Sequence, residues 1–553
     1  MFLFKFYRRQ AHGNILKDDK MKFDYNSYPY PSTRRTIFGK NGMVATSSPY
    51  ATSAGAKILL EGGNAVDAAL AASMTLPVVE PTGNGLGSDM FALIYFEGKL
   101  YGINASGRSP KNISIEKLRK KGYDKMPSCG VNVINTPGLI GGVMKVHEDF
   151  ASLSLDKIFE PAISYAEEGY PVTPQIAKLW GESVEKYKNL NREEFKEFFK
   201  SFTIDGRAPR AGEVFRSPDL ARTLREIRDT KGESFYRGDL AEKIASEVAR
   251  LGGFLSLDDL RGFEASYVDP ISTNYKGIDI WEIPPNGHGI SVLMALNILS
   301  EMEIKDRDDP KTLHKIIEAI KLSLTDAKAY VADPAKMKIE IERLLSKDYA
   351  KDRRSKISDR AKSPEAFKIK SSDTVYFATA DKDGNMVSMI QSNYAGFGSG
   401  IVVPGTGISL NNRIENFYFE EGLANSLEGG KLPYHTIIPG FMTKNKEALG
   451  AFGIMGAFMQ PQAHVQVLMN MIDFNLNPQA ALDAPRIMWI DDKKIQVEKD
   501  FRPEIIDELK NLGHEVEVVS DFKNMGRGQI ILKDKDVYIG GTEKRTDSNI
   551  FSY

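Results

Sequence analysis

The chain has 553 residues and a formal net charge of −1, with 73 Lys and Arg against 74 Asp and Glu. A balanced charge provides no electrostatic surface for a polyanion, which argues against nucleic-acid binding. Hydrophobic content of 42% with 27% charged residues is ordinary for a globular protein. The single cysteine, Cys129, excludes an intrachain disulfide and a thiolate metal cluster, and we expect it to serve packing.

The N-terminal residues give little structural information. Residues 1–30 carry little periodicity and are interpreted as a poorly defined extension, with Met21 as an alternative start. The apolar stretch that begins at Met1 is broken by Lys5 and is too short for a signal peptide or a membrane span. We therefore expect a cytoplasmic protein with no membrane contact.

The region before residue 373 is predicted to be mainly helical. Gly62-Gly63 separates two helices, and the second is small and apolar around most of its circumference, so it should be buried. The predicted elements are helices over 49–60, 64–76 and 155–169, strands over 91–95 and 99–103, and a helix-rich segment 176–350 with an amphipathic helix over 313–332.

After residue 373 the pattern changes to short strands. Because a strand-rich end is combined with helical segments, an α+β stack in which helices cover sheets fits best. No linker, repeat or low-complexity tract divides the chain, which predicts one compact unit. The predicted strands are 374–380, 386–392, 449–454, 485–489, 494–498, 514–519, 528–533 and 536–540, with helices over 460–474, 478–483 and 502–512.

Thr374 is the strongest candidate nucleophile of the chain. It begins a strand-forming run, Thr374 to Thr379, which closes on the turn sequence Asp381-Lys-Asp-Gly384 before a second strand. We therefore expect its hydroxyl at a strand start, open to solvent.

A threonine hydroxyl needs a base, and no Ser-His-Asp arrangement is visible among seven histidines. Cleavage of the bond between Asp373 and Thr374 would free the α-amino group of Thr374. Its reference pKa of about 7.7 to 8.0 suits a general base near neutral pH. The residue would then activate itself.

Several motifs occur in one order along most of the chain. They are Gly42-Met-Val-Ala-Thr46, Gly62-Gly-Asn-Ala-Val-Asp-Ala-Ala69, Val79-Glu-Pro81, Gly83-Asn-Gly-Leu-Gly87, Thr374-Val-Tyr-Phe377, Asp381-Lys-Asp-Gly-Asn385, Phe397-Gly-Ser-Gly400, Pro404-Gly-Thr-Gly-Ile408, Asn411-Asn412 and Gly540-Gly-Thr542. With them the sequence resembles the γ-glutamyltranspeptidase (glutathione hydrolase) family of the N-terminal-nucleophile hydrolase superfamily. The Thr374 motif and Met459-Gln-Pro-Gln462 resemble its glutathione-hydrolase-like branch.

The resemblance implies a four-layer αββα sandwich and self-cleavage between Asp373 and Thr374. The products would be a large subunit, 31–373, and a small subunit, 374–553, that stay together as a heterodimer. Whether heterodimers pair further stays open.

Catalysis by Thr374 needs hydrogen-bond donors for the oxyanion, and consecutive backbone N–H groups on a tight turn are the usual supply. Gly456-Ala457, between a predicted strand and helix, fits this need. The resemblance places a Gly-Gly turn here, so Ala457 keeps the N–H but adds a methyl group. It also assigns Ser392 to the hydroxyl that hydrogen-bonds the nucleophile.

The substrate clamp is where the sequence departs from the family. A γ-glutamyl group presents an α-carboxylate and an α-ammonium, so its site calls for an Arg and a carboxylate. The family's Arg lies near Arg108, which is displaced along the chain. Its amine-binding Asp corresponds to Asn416 and a neighbouring Gln to Arg413. Glu415 could replace that Asp, although adjacent residues of an extended chain point to opposite sides.

A Ser-Ser pair of the family, which contacts the substrate carboxylate, corresponds to His435-Thr436. The nucleophile and oxyanion donors therefore persist while the residues around the acyl group differ. Which of Arg108 and Arg413 would bind the carboxylate stays open.

The leading functional hypothesis is a self-processed amidohydrolase that forms an acyl-enzyme at Thr374 and passes the acyl group mainly to water, with an amino acid as the other acceptor. Its substrate would be a γ-glutamyl amide. The alternative is an acyl-amide hydrolase resembling cephalosporin or glutaryl acylases. A hypothesis of a different functional class is a non-catalytic binding protein with the same fold. No metal or organic cofactor is expected.

Overall fold

The computed structural model describes residues 24, 27–31, 34–364, 373–522 and 524–553, with Asp373 described by its backbone alone. Most of the predicted N-terminal extension therefore lies outside the described residues.

These residues form nineteen β-strands, numbered β1 to β19 in chain order. They are Ile37–Gly39, Gly42–Thr46, Asp89–Phe96, Lys99–Ala105, Tyr170–Pro171, Val214–Phe215, Ser266–Val268, Ile271–Tyr275, Ile278–Glu282, Asp373–Asp381, Met386–Tyr394, Gly440–Lys444, Glu447–Met455, Ile487–Asp491, Lys494–Glu498, Glu515–Val519, Arg527–Asp534, Val537–Thr542 and Asn549–Ser552.

The same residues form eighteen α-helices, numbered α1 to α18. They are Pro49–Leu60, Ala65–Val79, Ile115–Lys120, Leu139–Phe150, Leu155–Glu168, Pro174–Leu190, Lys196–Phe202, Pro218–Asp229, Glu233–Arg237, Asp239–Arg250, Leu257–Arg261, Ile290–Ser300, Pro310–Tyr330, Ile341–Leu344, Lys347–Ser355, Met459–Ile472, Pro478–Asp483 and Pro503–Asn511. Short 3₁₀ turns cover Val131–Val133, Glu193–Phe195, Pro334–Lys336 and Arg413–Asn416.

Two seven-stranded antiparallel sheets form the centre of the molecule. Sheet I has the order β19-β2-β10-β11-β3-β4-β7, and sheet II has the order β1-β18-β17-β13-β12-β9-β8. Each sheet combines strands from the two parts of the chain that residue 373 separates. In sheet I, β10 and β11 lie between β2 and β3, and in sheet II, β12, β13, β17 and β18 lie between β1 and β9. Smaller sheets pair β14, β15 and β16, and β5 with β6.

The two sheets pack face to face around an apolar layer that includes Phe91 and Tyr376 of sheet I and Phe441 and Met455 of sheet II. Helices such as α2 and α5 cover the outer face of sheet I, and α12, α13 and α16 cover that of sheet II. The predicted α+β class and its four layers are thereby confirmed.

Helix α2 shows how local sequence determines an element of the core. The Asn64 side chain accepts from the backbone N–H groups of Val66 and Asp67, and the Asp67 carboxylate accepts from the Asn64 N–H. This capping box fixes the start, and every helical residue is buried. The predicted end at residue 76 was too early, since the helix continues through Pro77 to Val79.

The helix-rich interpretation of 176–350 was incomplete, since β6, β7, β8 and β9 lie within it. In β9, buried and partly exposed residues alternate from Ile278 to Glu282, which is the two-residue period of a strand. The short length of these strands hid that period among charged helices. Strands β1, β2, β5, β12 and β19 were also not predicted. Among the helices of the described residues, none has the length and apolar character required to cross a bilayer.

Contact between the two sheets is tight where Gly453 of β13 meets the ring of Tyr376 in β10. A Cβ atom at Gly453 would lie 2.3 Å from Cε2 of Tyr376. We expect Gly453→Ala to lower the free energy of unfolding by about 1 to 3 kcal/mol through overpacking. Scanning calorimetry would measure the change in the unfolding midpoint.

Gly181→Ala is the matched control, because a Cβ atom there meets nothing within 4 Å and Gly181 lies within helix α6. This variant should be stabilised by up to about 1 kcal/mol. Equal midpoints for the two variants would contradict the tight contact between the sheets.

Candidate active site

Thr374 lies at the second position of β10, and its side chain faces the layer between the sheets. Its Oγ1 donates a hydrogen bond to Oγ of Ser392 at 3.0 Å. The residue is completely buried, so the expectation of a solvent-open hydroxyl was wrong. β10 is an inner strand of sheet I, and the packing of sheet II against it covers the Thr374 side chain.

Strand register aligns three polar side chains across sheet I. Ser392 of β11 is directly opposite Asp89 of β3, and a bulge between Asp373 and Val375 brings Thr374 against Ser392. Directly opposite residues share one face of an antiparallel sheet. Thr374, Ser392 and Asp89 therefore form a row on the inner face, which is called the polar row below.

Asp89 is a member of this row that the sequence did not reveal. Its Oδ2 lies 3.1 Å from Nε2 of His435 and 3.6 Å from Nε of Arg413. It also accepts from Asn135 Nδ2 and the Gly107 N–H. Burial raises the pKa of Asp89 to about 6, although the Arg413 guanidinium opposes that shift. A carboxylate two residues after Gly83-Asn-Gly-Leu-Gly87, at the start of an apolar strand, was the available signal.

Arg413 lies beside the polar row and is fully buried. Its Nη1 donates to Oγ1 of Thr436 at 2.9 Å, and its guanidinium carbon lies 4.9 Å from the centre of the Tyr394 ring. Nε and Nη2 have no hydrogen-bond partner among the described residues. Burial lowers the pKa of Arg413 to about 10, so the side chain stays charged near neutral pH.

His435 is neutral in this arrangement. Burial, with the Arg413 guanidinium nearby, holds the pKa of His435 well below its ordinary value. Nε2 must carry the proton because its neighbour is a carboxylate, and Nδ1 accepts from the Ile437 N–H at 3.4 Å. The structure thus brings His435 and Arg413 to Asp89, and Thr436 to Arg413.

Glu415 and Asn416 share a 3₁₀ turn with Arg413 rather than an extended segment, so the expectation of opposite faces does not apply. Side chains three apart on such a turn eclipse one another, which places Asn416 on the side of Arg413. Asn416 is buried, and its Nδ2 has no hydrogen-bond partner among the described residues. Glu415 is partly buried and accepts from Asn412 Nδ2.

Arg108 does not join this group. Its Nη1 donates to the buried Asp333 carboxylate at 2.7 Å and to the Gly430 carbonyl, and the side chain is half exposed. It lines a separate open cleft with Ser106 and Phe263. Of the two arginines considered from the sequence, Arg413 is the one that the fold places beside the polar row.

The turn between β13 and α16 contains Gly456 and Ala457. Gly456 has φ +135° and Ala457 has φ +50°, the left-handed region that L side chains rarely adopt. The N–H groups of these two residues donate to no described residue, whereas their carbonyls accept from Met459 and Gln460. Two adjacent free N–H groups on a strained turn fit the oxyanion donors expected from the sequence.

Contacts between the sheets orient this turn relative to Thr374. Ser388, which is paired with Ala378, contacts the Phe452 carbonyl, and Tyr376 contacts Gly453. Moving along β10 toward Thr374 therefore corresponds to moving along β13 toward Gly456. The turn lies at the Thr374 end of the paired sheets.

One group of potential metal ligands exists among the described residues, namely His314, Glu318 and His514. It lies in the helical layer outside sheet II, and the Lys321 ammonium donates a hydrogen bond to Oε1 of Glu318 at 2.7 Å. His314 and His514 contact each other through Nδ1 and Nε2 at 2.9 Å. This cluster takes no part in the polar row.

Comparison with known proteins places this geometry in a family. Residues 51–553 match the family model described as γ-glutamyltranspeptidase. The chain belongs to the γ-glutamyltranspeptidase family. The crystal structure of cephalosporin acylase from Bacillus halodurans superposes with a TM-score of 0.92 and 50% sequence identity, covering 96% of this chain and 99% of that one.

Two relatives extend the match over nearly the full family length. The glutathione hydrolase-like YwrD proenzyme of Bacillus subtilis (strain 168) is 34% identical over 93% of this chain and 98% of its own length. The oxamate amidohydrolase proenzyme of Klebsiella pneumoniae is 31% identical over the same shares. The chain is thus an amidohydrolase proenzyme of the γ-glutamyltranspeptidase family with the N-terminal-nucleophile hydrolase fold, and the proenzyme relatives imply self-cleavage into two chains.

The left-handed backbone at Ala457 leads to a stability prediction. Ala457 and Ala463 are both fully buried, but Ala463 lies within helix α16. Replacement by glycine removes the same methyl group at both positions and relieves left-handed strain only at Ala457. We expect Ala457→Gly to be less destabilising than Ala463→Gly by about 1 to 2 kcal/mol. Denaturant unfolding of both variants would measure the difference, and equal losses would contradict strain at Ala457.

Proposed function

We propose that the chain is a self-processing threonine amidohydrolase that hydrolyses amides whose acyl group carries a free carboxylate, of the glutaryl type. Thr374 is the nucleophile. The observation that carries the substrate class is the buried Arg413 guanidinium beside the polar row, whose Nη2 has no hydrogen-bond partner among the described residues. Asp89 lies beside Nε, so Nη2 is the atom available to a substrate carboxylate, which is the strongest partner of a guanidinium.

Processing begins at the bond between Asp373 and Thr374. The Thr374 hydroxyl attacks the Asp373 carbonyl carbon, and the amide becomes an ester as its nitrogen takes a proton. Water then cleaves the ester and leaves the Thr374 α-amino group free. The hydrogen bond to Ser392 supports this step because it holds Oγ1 at the start of the strand.

In the processed enzyme the α-amino group removes the proton of the Thr374 hydroxyl as this oxygen attacks the substrate amide. The negative charge on the former carbonyl oxygen is stabilised by the N–H groups of Gly456 and Ala457. The amine leaves with the proton, and water releases the acyl group from the ester. Water is the main acceptor, and an amino acid is the alternative one.

The residues around the acyl group favour a carboxylate without an ammonium. Asn416, where the family's amine-binding Asp is expected, carries no charge and offers an unpaired donor instead of an acceptor. Asp89 cannot supply the missing charge, since its two oxygens already accept from His435, Asn135 and Gly107. The similarity to a cephalosporin acylase at 50% identity agrees with acyl amides as substrates.

A second candidate substrate is a γ-glutamyl amide such as glutathione. Glu415 favours it, because this carboxylate lies on the 3₁₀ turn of Arg413 and lies close enough to Tyr394 to raise the pKa of its hydroxyl. Glu415 would then bind the α-ammonium while Arg413 binds the α-carboxylate. The glutathione hydrolase-like relative is consistent with this substrate.

Self-cleavage is tested on the purified protein by denaturing electrophoresis and N-terminal sequencing. We expect two fragments, residues 1–373 and 374–553, with Thr374 as the new N-terminus. Thr374→Ala should stay whole because the attacking hydroxyl is gone, whereas Thr374→Ser should still be cut.

Thr379→Ala is the control, since Thr379 lies on the same strand and donates to the Ala65 carbonyl in the helical layer. It should be cut normally. A single intact wild-type band would favour a non-catalytic protein, and a new N-terminus at another residue would remove Thr374 from the mechanism.

Substrate choice is tested with glutaryl and γ-glutamyl 4-nitroanilides, which differ only in the α-ammonium. We expect the wild-type enzyme to prefer the glutaryl substrate. Asn416→Asp should raise the ratio of kcat/KM for γ-glutamyl over glutaryl about tenfold or more, because the new carboxylate pairs with the ammonium and repels a bare carboxylate. If both substrates respond alike, position 416 does not face the acyl group.

A further inference from the structure

The ammonium group of Lys328, in the last turn of α13, lies over three aromatic rings. Its Nζ is 4.2 Å from the centre of the Phe458 ring, 4.5 Å from that of Tyr434 and 5.7 Å from that of Tyr418. A cation within about 6 Å of a ring centre is attracted by the negative face of the ring. Tyr434 and Phe458 are at most 2% exposed and Lys328 is partly buried, so water screens this attraction only in part.

The three rings share a relation to the candidate site, since each lies within two residues of one of its segments. All three also follow residue 373, whereas Lys328 precedes it. One cation therefore contacts rings next to three separate segments of the site. The neighbouring segments are Gly456-Ala457 for Phe458, His435-Thr436 for Tyr434 and Arg413–Asn416 for Tyr418.

The contact with Phe458 reaches the turn between β13 and α16 through direct packing. Ala457, Phe458 and Tyr434 are buried in one apolar cluster. Ala327, the neighbour of Lys328 in α13, belongs to the same cluster. The rings of Tyr434 and Phe458 stack, with their centres 6.0 Å apart and 24° between their planes. A displacement of the turn would therefore separate these rings from the ammonium.

That turn requires support from its surroundings. Ala457 has φ +50°, and a side chain persists in this conformation only where the surrounding structure holds it. The N–H groups of Met459 and Gln460 donate to the carbonyls of Gly456 and Ala457, which closes the turn on its carbonyl side. The N–H groups of Gly456 and Ala457 donate to no described residue. The packing of Phe458, the next residue, therefore helps to fix where these two N–H groups point.

A neutral histidine extends the same arrangement to the neighbouring segment. Burial, with the Lys328 ammonium as the second cause, lowers the pKa of His288 to about 3. Its Nε2 donates to the Thr436 carbonyl at 2.9 Å, so Nδ1 accepts from the Tyr434 hydroxyl at 3.1 Å. Tyr434 is thereby held by the cation at its ring and by a hydrogen bond at its hydroxyl.

We propose that Lys328 is a positioning residue whose ammonium, through the Phe458 ring, holds the Gly456-Ala457 turn in the conformation that stabilises the oxyanion. The role of the turn rests on the proposed function. A lysine that merely covers apolar surface lays its stem on the rings and keeps its ammonium in water. The charge of Lys328 is therefore the property that distinguishes positioning from packing.

The first test compares Lys328→Met and Lys328→Arg with the wild-type enzyme on the glutaryl and γ-glutamyl 4-nitroanilides. Methionine keeps an apolar stem and removes the charge, whereas arginine keeps the charge. We expect Lys328→Met to lower kcat about tenfold and to leave KM nearly unchanged, because the turn stabilises the transition state more than the bound substrate. Lys328→Arg should retain most of the wild-type kcat, since a guanidinium also binds ring faces.

Lys99→Met is the matched control, because Nζ of Lys99 lies 4.6 Å from the centre of the Tyr101 ring. Lys99 pairs with Phe96 at the end of β4 that is remote from Asp89. The variant should leave both kcat and KM unchanged. An unchanged kcat in Lys328→Met, or a loss of kcat that Lys328→Arg shares, would overturn the positioning role of the charge.

Hydrogen–deuterium exchange measured by mass spectrometry keeps this proposal separate from the proposed reaction. The amides of Met459 and Gln460 donate to the carbonyls of the turn, so their exchange reports how firmly the turn is held. We expect this exchange to be several-fold faster in Lys328→Met than in the wild-type protein, Lys328→Arg and Lys99→Met. Faster exchange in a protein that turns over neither anilide would reject the proposed function and preserve the positioning contact. Equal exchange in all four proteins would overturn the proposal whatever their activities.

Discussion

The cross-strand register of β10, β11 and β3 is the constraint on which the candidate site depends. It places Thr374 against Ser392 and Ser392 opposite Asp89, with all three side chains on the inner face of sheet I. A slip by one residue would turn the whole row toward the helical layer, because successive side chains of a strand face opposite sides. Strand pairing therefore decides which side chains share the candidate site, and their chemistry acts within that arrangement.

The hairpin between β10 and β11 fixes that register through a single carboxylate. Asp381 accepts from the N–H groups of Asp383 and Asn385 within the turn, and its other oxygen accepts from Asn385 Nδ2 and the Ala65 N–H at the start of α2. One buried side chain thus closes the turn and ties it to the helical layer. The turn sequence that predicted a hairpin therefore also holds β10, the strand that carries Thr374, in place.

Periodicity and turn chemistry located α1 to the residue and most strands after Thr374 to within a few residues. What they could not give was the environment of each element. Thr374 was expected to be exposed because a single chain does not show which sheet will cover a strand. Asp89 was missed for a related reason, because it is an ordinary strand residue until the fold brings Arg413 and His435 beside it.

The difference between the two parts of the site follows from how each is built. The candidate nucleophile and the proposed oxyanion turn depend on main-chain geometry, namely strand register and two free N–H groups, which many side-chain changes leave intact. The region proposed to bind the acyl group depends on side chains from separate segments, namely Asp89 at the start of β3, Arg413 on the 3₁₀ turn and His435, which contact one another. A change of one such residue alters the charge that a substrate meets and leaves the row of Thr374 and Ser392 in place. Family membership therefore determines the reaction more tightly than the substrate.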